Sequence, residues 1–477
     1  MALELKKLMI FNNLDQIDTS KIPVVIVGSG PAAITLAIEL EKNNIDSLVI
    51  EAGEEKYNHE SQQNYQGQIV GDSITGLTHN RLRQFGGSSG HWGGWSRPLE
   101  EYNFEKWNIK KKDLDKYSDD ACDILSIKND FNKTNLDEYF DQIDFQYSKV
   151  RFAKKYKNII LKSNKINLVL KTQVSHFEGN NKNTQFVVCY SNGKKYMVHS
   201  KYFILACGGI ENSRILLWTK EKNTQFIDPV LPIGKYWMTH PWMLGGNGVI
   251  KKSKFKKILK ENFINYEGPI HIATSKNIRT EKNILGGSFY MNAIEDTKIH
   301  KEIIKDLLCI APELGKKIAR KVFKKDLKCG NIFLQLEEEP NINNRITLDT
   351  KLKDSLDIPI TKLFYKQSKS TVENAKIILE EFANFCRKTD SGRIAILDEI
   401  YQLNSYESLG VNHHIGGTRM GGNPKTSVVD KNLKLHNNKN LYVAGSSNFV
   451  SGGYANPTYT IVQMSLRLAN EISEKLI

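Results

Sequence analysis

A short glycine-rich turn near the beginning of the chain carries the first residues that could do chemistry. The run Gly28-Ser29-Gly30-Pro31-Ala32-Ala33 fits the spacing G-x-G-x-x-G/A. In that motif the first glycine makes a tight turn, the second admits a pyrophosphate close to the backbone, and the third small residue lets helix and strand pack. Glu51 lies about twenty residues on, where an acidic side chain accepts hydrogen bonds from an adenosine ribose. These residues predict dinucleotide binding, and alone they do not separate FAD from NAD.

The residues around this turn predict the elements that would position it. The apolar run Ile22–Val27 leads into the turn, ITLAIELEKN follows with helical spacing, and SLVIEAG is a second apolar run. Strand, turn, helix and strand in this order indicate a βαβ unit with a parallel strand pair. KYFILACGGIENSRILL repeats the order of strand, glycine turn and helix, and NLYVAGSSNF repeats strand into glycine turn.

The rest of the chain divides into segments of different pattern. A polar, glycine-rich stretch from Ser61 to Trp95 is rich in Trp, His and Arg, which favours a ligand-binding loop. Residues 166–198 alternate apolar and polar side chains around Gly and Asn turns, as in an antiparallel meander. Short strand-like runs mixed with Lys-rich helices predict a second domain over residues 234–404. TIVQMSLRLANEISEKL predicts a terminal amphipathic helix.

Composition narrows the class of protein. The chain has 477 residues, 40% hydrophobic and 25% charged, which is ordinary for a globular protein with room for a large buried ligand. Its net charge of +14 comes from dispersed lysines, so we predict no nucleic-acid partner. We find neither a signal-peptide core nor an apolar run long enough to span a membrane, and we expect a cytoplasmic location. Six scattered cysteines form no metal-ligand pattern, so we predict reduced thiols and no metal.

Several longer strings resemble the glucose-methanol-choline (GMC) family of oxidoreductases, particularly the branch with pyranose oxidase and fructose dehydrogenase. They are GSGPAA, RQFGGSSGHW, ACGGIENSRILL, HHIGGTRMG and NLYVAGSSNFVSGGYANPTYTI, in this order. GKYWMTHP and EPNINNRITL resemble segments that border the family's substrate domain. The resemblance implies an α/β fold: a Rossmann-type FAD-binding domain with an inserted α+β substrate domain. The predicted boundaries are 1–233 and 405–477 for the two parts of the FAD domain and 234–404 for the substrate domain.

The resemblance also implies FAD as the cofactor and a set of residues that hold it. These residues are Gly28, Ser29, Gly30, Ala32, Ala33, Glu51, Ala52, Arg83, Gly86, Gly87, Ser88, His91, Trp92, Val174, Ala206, Gly208, Gly445, Ser446, Pro457 and Thr458. The histidine of the GGSSGHW loop is bonded to the flavin in some members of the family. We therefore predict a covalent link between FAD and His91.

Oxidation of an alcohol needs a base for the hydroxyl proton, and a histidine suits that role near neutral pH. In the family the base stands in the pattern H-x-x-G-T, and that register falls on His414, followed by Gly417 and Thr418. Asn456 matches the partner that binds the substrate oxygen. His413 takes the role of base if the register is off by one. For either histidine, a purely structural role is the alternative.

The predicted function is therefore FAD-dependent oxidation of a CH–OH group, by proton removal at His414 and hydride transfer to the flavin. The substrate is a sugar, sugar derivative or polyol, with a phosphorylated sugar or nucleotide-sugar kept open by the basic charge balance. The electron acceptor is not identified. Two alternatives remain: a lyase of the same fold that uses FAD without net redox, and a non-enzymatic binding protein with a similar nucleotide domain.

Two further features are interpreted as structural. The other histidines have no catalytic context, although His240 lies in a motif that borders the substrate domain. Residues 301–325 combine apolar residues at helical spacing with a basic face, which could rest on an anionic membrane. Pro312 and Gly315 break that pattern, and a surface helix of the substrate domain is the preferred interpretation.

Overall fold

The structure is a computed structural model that describes residues 9–251, 254, 258, 270–293, 327–402 and 412–476. Its strands are β1 (Ile10–Phe11), β2 (Val24–Val27), β3 (Ser47–Ile50), β4 (Gly67–Gly71), β5 (Trp95–Ser96), β6 (Lys133–Asn135), β7 (Phe140–Ile143), β8 (Gln146–Tyr147), β9 (Ile166–Val169), β10 (Thr172–Asn180), β11 (Asn183–Ser191), β12 (Lys194–His199), β13 (Tyr202–Leu205), β14 (Trp242–Lys251), β15 (His271–Thr274), β16 (Gly287–Ala293), β17 (Leu327–Leu336), β18 (Arg345–Lys353), β19 (Pro359–Tyr365), β20 (Gly392–Ile396) and β21 (Leu441–Val443). Its helices are α1 (Pro31–Lys42), α2 (His59–Gln63), α3 (Lys112–Asp115), α4 (Ser118–Leu125), α5 (Phe152–Lys162), α6 (Gly208–Lys222), α7 (Lys276–Glu281), α8 (Lys369–Lys388), α9 (Asp398–Tyr401) and α10 (Thr458–Leu476).

A six-stranded parallel sheet forms the nucleotide-binding half of the molecule. Its strand order is β1-β9-β3-β2-β13-β21. Every residue of β2 and β3 is buried, because helices and loops cover both faces of a parallel sheet. β21 comes from the end of the chain and pairs in parallel with β13. The two ends of the chain therefore share one sheet, as the resemblance predicted.

Two helices cover this sheet and pack against each other. Helix α1 begins directly after the glycine turn, with Gly30 as N-cap and Pro31 in its first turn. It buries a row of small and branched residues that includes Ala33, Leu36 and Leu40. The terminal helix α10 packs against α1. The predicted terminal helix is confirmed, and it helps to form the nucleotide domain.

The second half is built on a seven-stranded antiparallel sheet of order β20-β14-β17-β16-β15-β7-β6. Along β17, Ile332 and Leu334 are buried in a core shared with Leu379 and Phe382 of α8. The alternate side chains of β17, among them Gln335, point to the opposite face. This sheet takes β6 and β7 from residues that the predicted boundaries assign to the first part of the FAD domain. The boundaries themselves stay a prediction.

Two three-stranded sheets lie outside the two large ones. β10, β11 and β12 form the predicted antiparallel meander, while β9, at the start of the same segment, joins the parallel sheet. β4 pairs in parallel with β19, although the two strands are far apart in sequence. Among the described helices, none combines the length and apolar character needed to cross a bilayer. The basic segment 301–325 lies outside the described residues.

Candidate functional site

A cavity of about 800 Å³ lies between the carboxyl ends of the parallel strands and one face of the seven-stranded sheet. Ligands bind at this edge in open α/β sheets. The structure brings most of the predicted site residues to the cavity wall: Gly28, Ser29, Gly30, Ala32, Glu51, Ala52, Arg83, Gly87, Ser88, His91, Trp92, Val174, Ala206, Gly208, His414, Gly445, Ser446, Asn456, Pro457 and Thr458. The remaining two, Ala33 and Gly86, lie behind the wall.

The glycine turn has the geometry of a phosphate cradle. Gly28 has φ +102°, and a Cβ there would lie 2.5 Å from the Ala206 carbonyl oxygen, so only glycine fits. A Cβ at Gly30 would meet no atom within 4 Å, because that Cα faces the open cavity. No side chain caps the beginning of α1. Its amides and helix dipole are thus free to bind a pyrophosphate.

The two predicted residues behind the wall shape it. Ala33 is fully buried, as expected for the small residue that lets α1 pack on the sheet. Gly86 has φ +83°, and a Cβ there would lie 2.6 Å from the backbone nitrogen of Ala153. The next residue, Gly87, would place a Cβ 3.1 Å from the Cα of Gly30. The second glycine-rich loop is therefore held directly against the first.

Glu51 is buried at the end of β3 and is connected to the glycine turn. Its Oε2 accepts hydrogen bonds from the backbone N–H and hydroxyl of Ser29, at 3.1 and 2.5 Å, and its Oε1 accepts one from the Gly53 N–H at 2.7 Å. Burial raises the pKa of this carboxyl, and these hydrogen bonds partly offset the effect. The carboxylate lies at the edge of the cavity, where a ribose hydroxyl could reach it.

A buried network of charged side chains surrounds the nucleotide end. Arg81 pairs with Glu211 at 2.7 Å, and Glu211 also pairs with Arg214 at 3.2 Å. Arg214 in turn bonds Asp354 at 2.8 Å. The two arginines hold the pKa of Glu211 below its usual value despite burial. Arg83, a predicted cofactor residue, instead donates to Ser61 and Gln173.

His91 lies on the loop that follows the second glycine run. The neighbouring Trp92 donates its indole N–H to the Val150 carbonyl at 2.7 Å, which fixes the loop against the start of α5. The imidazole of His91 is exposed and borders the cavity. Partial burial, and then the charge of Arg151, lower the pKa of His91, so its ring is neutral near pH 7. A nitrogen lone pair is thus available toward the cavity.

At the other end of the cavity, Asn456 contacts His413. The Asn456 amide nitrogen lies 3.3 Å from Nε2 of His413, and its Oδ1 accepts a hydrogen bond from Gln335 at 3.2 Å. Gln335 also donates to the Tyr454 carbonyl at 2.6 Å. Asn456 is therefore held between a strand of the second sheet and one of the adjacent histidines. The register-based prediction named His414, and the structure instead pairs Asn456 with the alternative that the sequence left open.

The hydrogen bonds behind His413 determine which of its nitrogens carries the proton. Nε2 of His240 lies 3.2 Å from the Gly452 carbonyl, which can only accept, so His240 carries its proton there. Nδ1 of His240 is then an acceptor, and Nδ1 of His413, 2.9 Å away, must donate to it. Nε2 of a neutral His413 is left with a lone pair that faces Asn456. Burial lowers the pKa of His240 to about 4 and that of His413 well below its ordinary value, so both rings are neutral.

His414 points away from this chain of hydrogen bonds. Its ring packs against Trp237, with centroids 5.8 Å apart, and the backbone of Asn80 is its polar neighbour. Burial, and then the charge of Arg81, lower the pKa of His414 to about 3. A Cβ at Gly209 would lie 2.3 Å from the His414 carbonyl oxygen. The backbone of His414 therefore packs directly against the start of α6. Both histidines border the cavity, but they face different ends of it.

Sequence analysis missed the wall of the cavity that the second sheet supplies. This wall contains Trp95, Phe145, Trp242, His271, Ser288, Tyr290 and Gln335. The runs GGSFYMNA and IFLQLEEE were identified as strand-like, but the sequence alone did not show which of their faces meets the nucleotide domain. The available signal was the alternation of Ile332, Leu334 and Leu336 with the side chains between them, which include the polar Asn331 and Gln335.

A family model and two solved structures match the chain. Residues 340–465 match the family model of GMC oxidoreductase. The fold matches pyridoxine 4-oxidase from Mesorbium loti over 94% of this chain and 99% of that one, with TM-score 0.63 and 14% identity. Formate oxidase matches over 95% and 98%, with TM-score 0.56 and 14% identity. The chain is similar to GMC oxidoreductases in sequence over residues 340–465 and in fold over nearly its whole length, and the predicted resemblance and fold class are confirmed.

Three relatives match part of the chain in sequence. The chain is 24% identical to the fructose dehydrogenase large subunit of Gluconobacter japonicus, over 59% of this chain and 49% of the relative. It is 23% identical to 2-methyl-1,2-propanediol dehydrogenase of Mycolicibacterium austroafricanum, over 59% and 50%. Paromamine 6'-oxidase of Streptomyces fradiae matches over 30% of this chain at 27% identity. The chain spans about half the length of the first two of these curated relatives.

Proposed function

We propose that this protein is an FAD-dependent oxidoreductase that oxidises a CH–OH group of a small alcohol, a sugar or polyol. The observation that carries the proposal is the position of the His413–Asn456 pair, which borders the same cavity as the glycine cradle. The match to the GMC oxidoreductase model supports the same reaction class, as do the relatives, which are a fructose dehydrogenase, a 2-methyl-1,2-propanediol dehydrogenase and a paromamine 6'-oxidase.

The described residues fit FAD. Gly30 leaves open space beside the free beginning of α1 for a pyrophosphate, and Glu51 borders the place for the adenosine ribose. The cavity continues from there past Pro457 and Thr458 to His413 and Asn456, which gives room for an extended dinucleotide. When bound, FAD supplies the acceptor for the hydride that leaves the alcohol carbon.

The protein's own part in the reaction is to hold the hydroxyl group and remove its proton. We assign the base to His413, because its Nε2 carries the lone pair and faces Asn456. The Asn456 amide N–H can donate to the substrate oxygen and stabilise the negative charge that develops on it. The sequence register assigns the base to His414, and separate mutation of the two histidines distinguishes the assignments.

Anaerobic reduction of the bound flavin tests the proposed function. The purified holoenzyme is mixed without oxygen with sugars, polyols and simple alcohols, and its visible flavin absorbance is followed. Bleaching by at least one alcohol is expected. If none bleaches the flavin while dithionite does, the oxidoreductase proposal fails, and lyase or binding roles of the same fold take its place.

We also propose a cytoplasmic location and leave the electron acceptor unassigned. Cys122, Cys189, Cys207 and Cys386 are free thiols, and three of them are buried, which agrees with a reducing compartment. Fractionation of the source cells with an antibody to the protein tests the location. Recovery in an extracytoplasmic fraction would contradict it.

A further inference from the structure

Asn456 and the proposed base His413 lie in the middle of a chain of hydrogen bonds that ends on a backbone carbonyl at each side. At one end is the Gly452 carbonyl, which sets the proton positions that leave Nε2 of His413 with a lone pair. At the other end is the Tyr454 carbonyl, which accepts a hydrogen bond from Gln335 at 2.6 Å. Because a carbonyl oxygen can only accept, each end fixes the direction of the bonds next to it.

The Tyr454 carbonyl determines how the Gln335 amide is oriented. The Gln335 atom that faces it must be Nε2, since only that atom of the amide carries hydrogens. The second N–H of Nε2 donates to Oδ1 of Asn456 at 3.2 Å. The amide nitrogen of Asn456 is thus turned the other way, to Nε2 of His413 at 3.3 Å. The Gly452 end independently requires this Nε2 to accept, so the two ends of the chain agree.

Both groups that begin this orientation are themselves held in place. Tyr454 is 1% exposed, and its hydroxyl donates to Glu100 at 2.7 Å. Burial alone would raise the pKa of Glu100, but the charges of Arg97 and Lys133 lower it to about 2, so its carboxylate stays an acceptor. Gln335 lies on β17, which pairs with β14 on one side and β16 on the other. The Tyr454 carbonyl and Gln335 therefore form a fixed pair.

We propose that Gln335 is a positioning residue that fixes the Asn456 amide as a hydrogen-bond donor toward the substrate oxygen. The inference rests on the proposed function and adds to it a residue that acts through Asn456. Proton removal by His413 leaves negative charge on the substrate oxygen, which an N–H stabilises and an amide oxygen would repel. An asparagine can present either group by turning its amide. With Gln335 in place, the turned amide would set one N–H against another.

A double-mutant cycle with the holoenzyme tests this role through the rate constant for anaerobic flavin reduction. Gln335→Leu removes the donor to Asn456, Asn456→Ala removes the amide that Gln335 orients, and the double variant removes both. The Kd for the alcohol is obtained from the same reduction experiments. Gln185→Leu is the matched control, because Gln185 is exposed on β11.

We expect Gln335→Leu to lower the rate constant for reduction about 10-fold, the size of one lost hydrogen bond, with little change in the Kd for the alcohol. In the Asn456→Ala background the same change should lower the rate less than about 2-fold, because no amide is left to orient. If the two losses multiply and the Kd rises, Gln335 binds the alcohol itself and the proposal is wrong. Should Gln335→Leu not fold, the cycle is run with Gln335→Met.

Gln335→Glu adds a readout that a purely structural role would not change. A carboxyl group has at most one hydrogen for the Tyr454 carbonyl and Asn456, and an ionised one has none. The carboxylate would accept from the Asn456 N–H and turn the amide oxygen toward the substrate. The ratio of the Gln335→Glu rate to the wild-type rate should therefore fall as the pH rises, while His413 titrates in both enzymes. A wild-type rate at every pH would contradict the proposal.

The protonation of His413 provides a measurement that needs no substrate. NMR of the holoenzyme with isotopically labelled histidine nitrogens, assigned with His413→Gln, should show Nδ1 protonated and Nε2 unprotonated. In Gln335→Leu the Nε2 signal should move, because its bond from Asn456 is weakened. A proton on Nε2 in the wild type, or an unchanged signal in Gln335→Leu, would overturn the proposal. If no alcohol reduces the flavin, the proposed function fails, and this measurement still decides how Asn456 is oriented.

Discussion

At the scale of single residues, the chain of contacts from Gly452 to Asn456 connects chemistry to local backbone geometry. A Cβ at Gly452 would lie 2.8 Å from Nε2 of His240, so glycine is required for the carbonyl and the ring to approach. That approach sets the tautomer of His240, and His240 sets the tautomer of His413. When His413 takes up a proton at Nε2, its Nδ1–H still has an acceptor, which stabilises the imidazolium.

We therefore expect His240 to act as a positioning residue. His240→Leu removes the acceptor for Nδ1 of His413, and the rate of flavin reduction should fall about 10-fold with little change in the Kd for the alcohol, because substrate contacts stay in place. His240→Gln keeps an acceptor and should retain more of the rate. The pH dependence of the reduction rate distinguishes this role from a structural one.

The rate of flavin reduction should depend on pH in a definite direction. Because burial keeps the pKa of His413 below 6.5, the wild-type base loses activity only when the pH falls well below that value. In His240→Leu the acidic limb should move to lower pH, because protonated His413 loses the acceptor that stabilises it. An unchanged pH profile together with a normal rate would show that His240 only fills space.

The predicted covalent link at His91 is a separate test at this scale. Its neutral ring borders the cavity on the loop that closes against the glycine turn, which supports the prediction. After denaturation in acid, flavin should stay with the protein, and the mass of the chain should exceed the sequence mass by one FAD. His91→Ala, as control, should release its flavin. Complete release from the wild type would contradict a covalent bond and leave His91 as a noncovalent contact.

At the scale of elements, the two glycines of the first turn have different roles: Gly28 permits the turn, and Gly30 leaves space for the ligand. Their alanine variants should distinguish these roles. Gly28→Ala is strained by φ +102° and by contact with Ala206, so we expect a loss of about 1–3 kcal/mol in stability together with lost FAD. Gly30→Ala meets no protein atom and should cost at most about 1 kcal/mol as an N-cap change. It should still weaken FAD binding at least about 10-fold, because the methyl group enters the cradle.

Thermal unfolding of both apoproteins and flavin titration provide the comparison. If Gly30→Ala binds FAD like the wild type, then the open space beside Gly30 is not the pyrophosphate site. A variant of the neighbouring Ala33 could not replace Gly30→Ala in this test, because Ala33 is fully buried and its substitution would change only packing.

The sequence predicted local elements where a residue type, such as glycine in a tight turn or an apolar run in a buried strand, favours one structure. The glycine turn, helix α1 and strands β2 and β3 followed from the apolar runs around Gly28 and from the small residue Ala33. The sequence alone did not identify the base, because His413 and His414 are adjacent and face different ends of the cavity. Alternation along an extended chain decides which one meets Asn456, and the sequence does not contain that orientation.

At the scale of the whole molecule, the sequence predicted that both ends of the chain form one domain, and β21 and α10 agree with it. It did not predict that β6 and β7 join the second sheet, or that β4 pairs with β19. These pairings join segments far apart in sequence, and no local pattern encodes them. For the same reason the sequence missed the cavity wall that the second sheet supplies, whose residues come from six separate segments.

A buried carboxyl at the boundary between the halves predicts how stability depends on pH. Glu338 is 1% exposed and accepts a hydrogen bond from the Thr239 N–H at 3.0 Å. Burial raises the pKa of Glu338 to about 8, from about 4.3 for a glutamate in an unfolded chain. Between these values the unfolded chain loses the proton and the folded chain keeps it, so this group lowers stability progressively as the pH rises. Glu338→Gln removes that dependence.

The gain in Tm of Glu338→Gln over the wild type should therefore increase from pH 5 to pH 8, as measured by thermal unfolding of the holoprotein. Exposed Glu105→Gln serves as a control for the loss of one surface charge. A difference in Tm that stays constant across this range would show that Glu338 is ionised in the folded protein.

In the proposed function, this cavity oxidises an alcohol with His413 as the base. The most direct measurement is the anaerobic rate of flavin reduction by an alcohol substrate in wild type, His413→Ala and His414→Ala, each with its FAD content verified. The structure predicts a loss of about 10²-fold or more for His413→Ala, the size expected for a missing general base, and a much smaller loss for His414→Ala. A dead His414→Ala beside an active His413→Ala would contradict the assignment and restore the register-based prediction, and full activity in both would exclude this histidine pair from the chemistry.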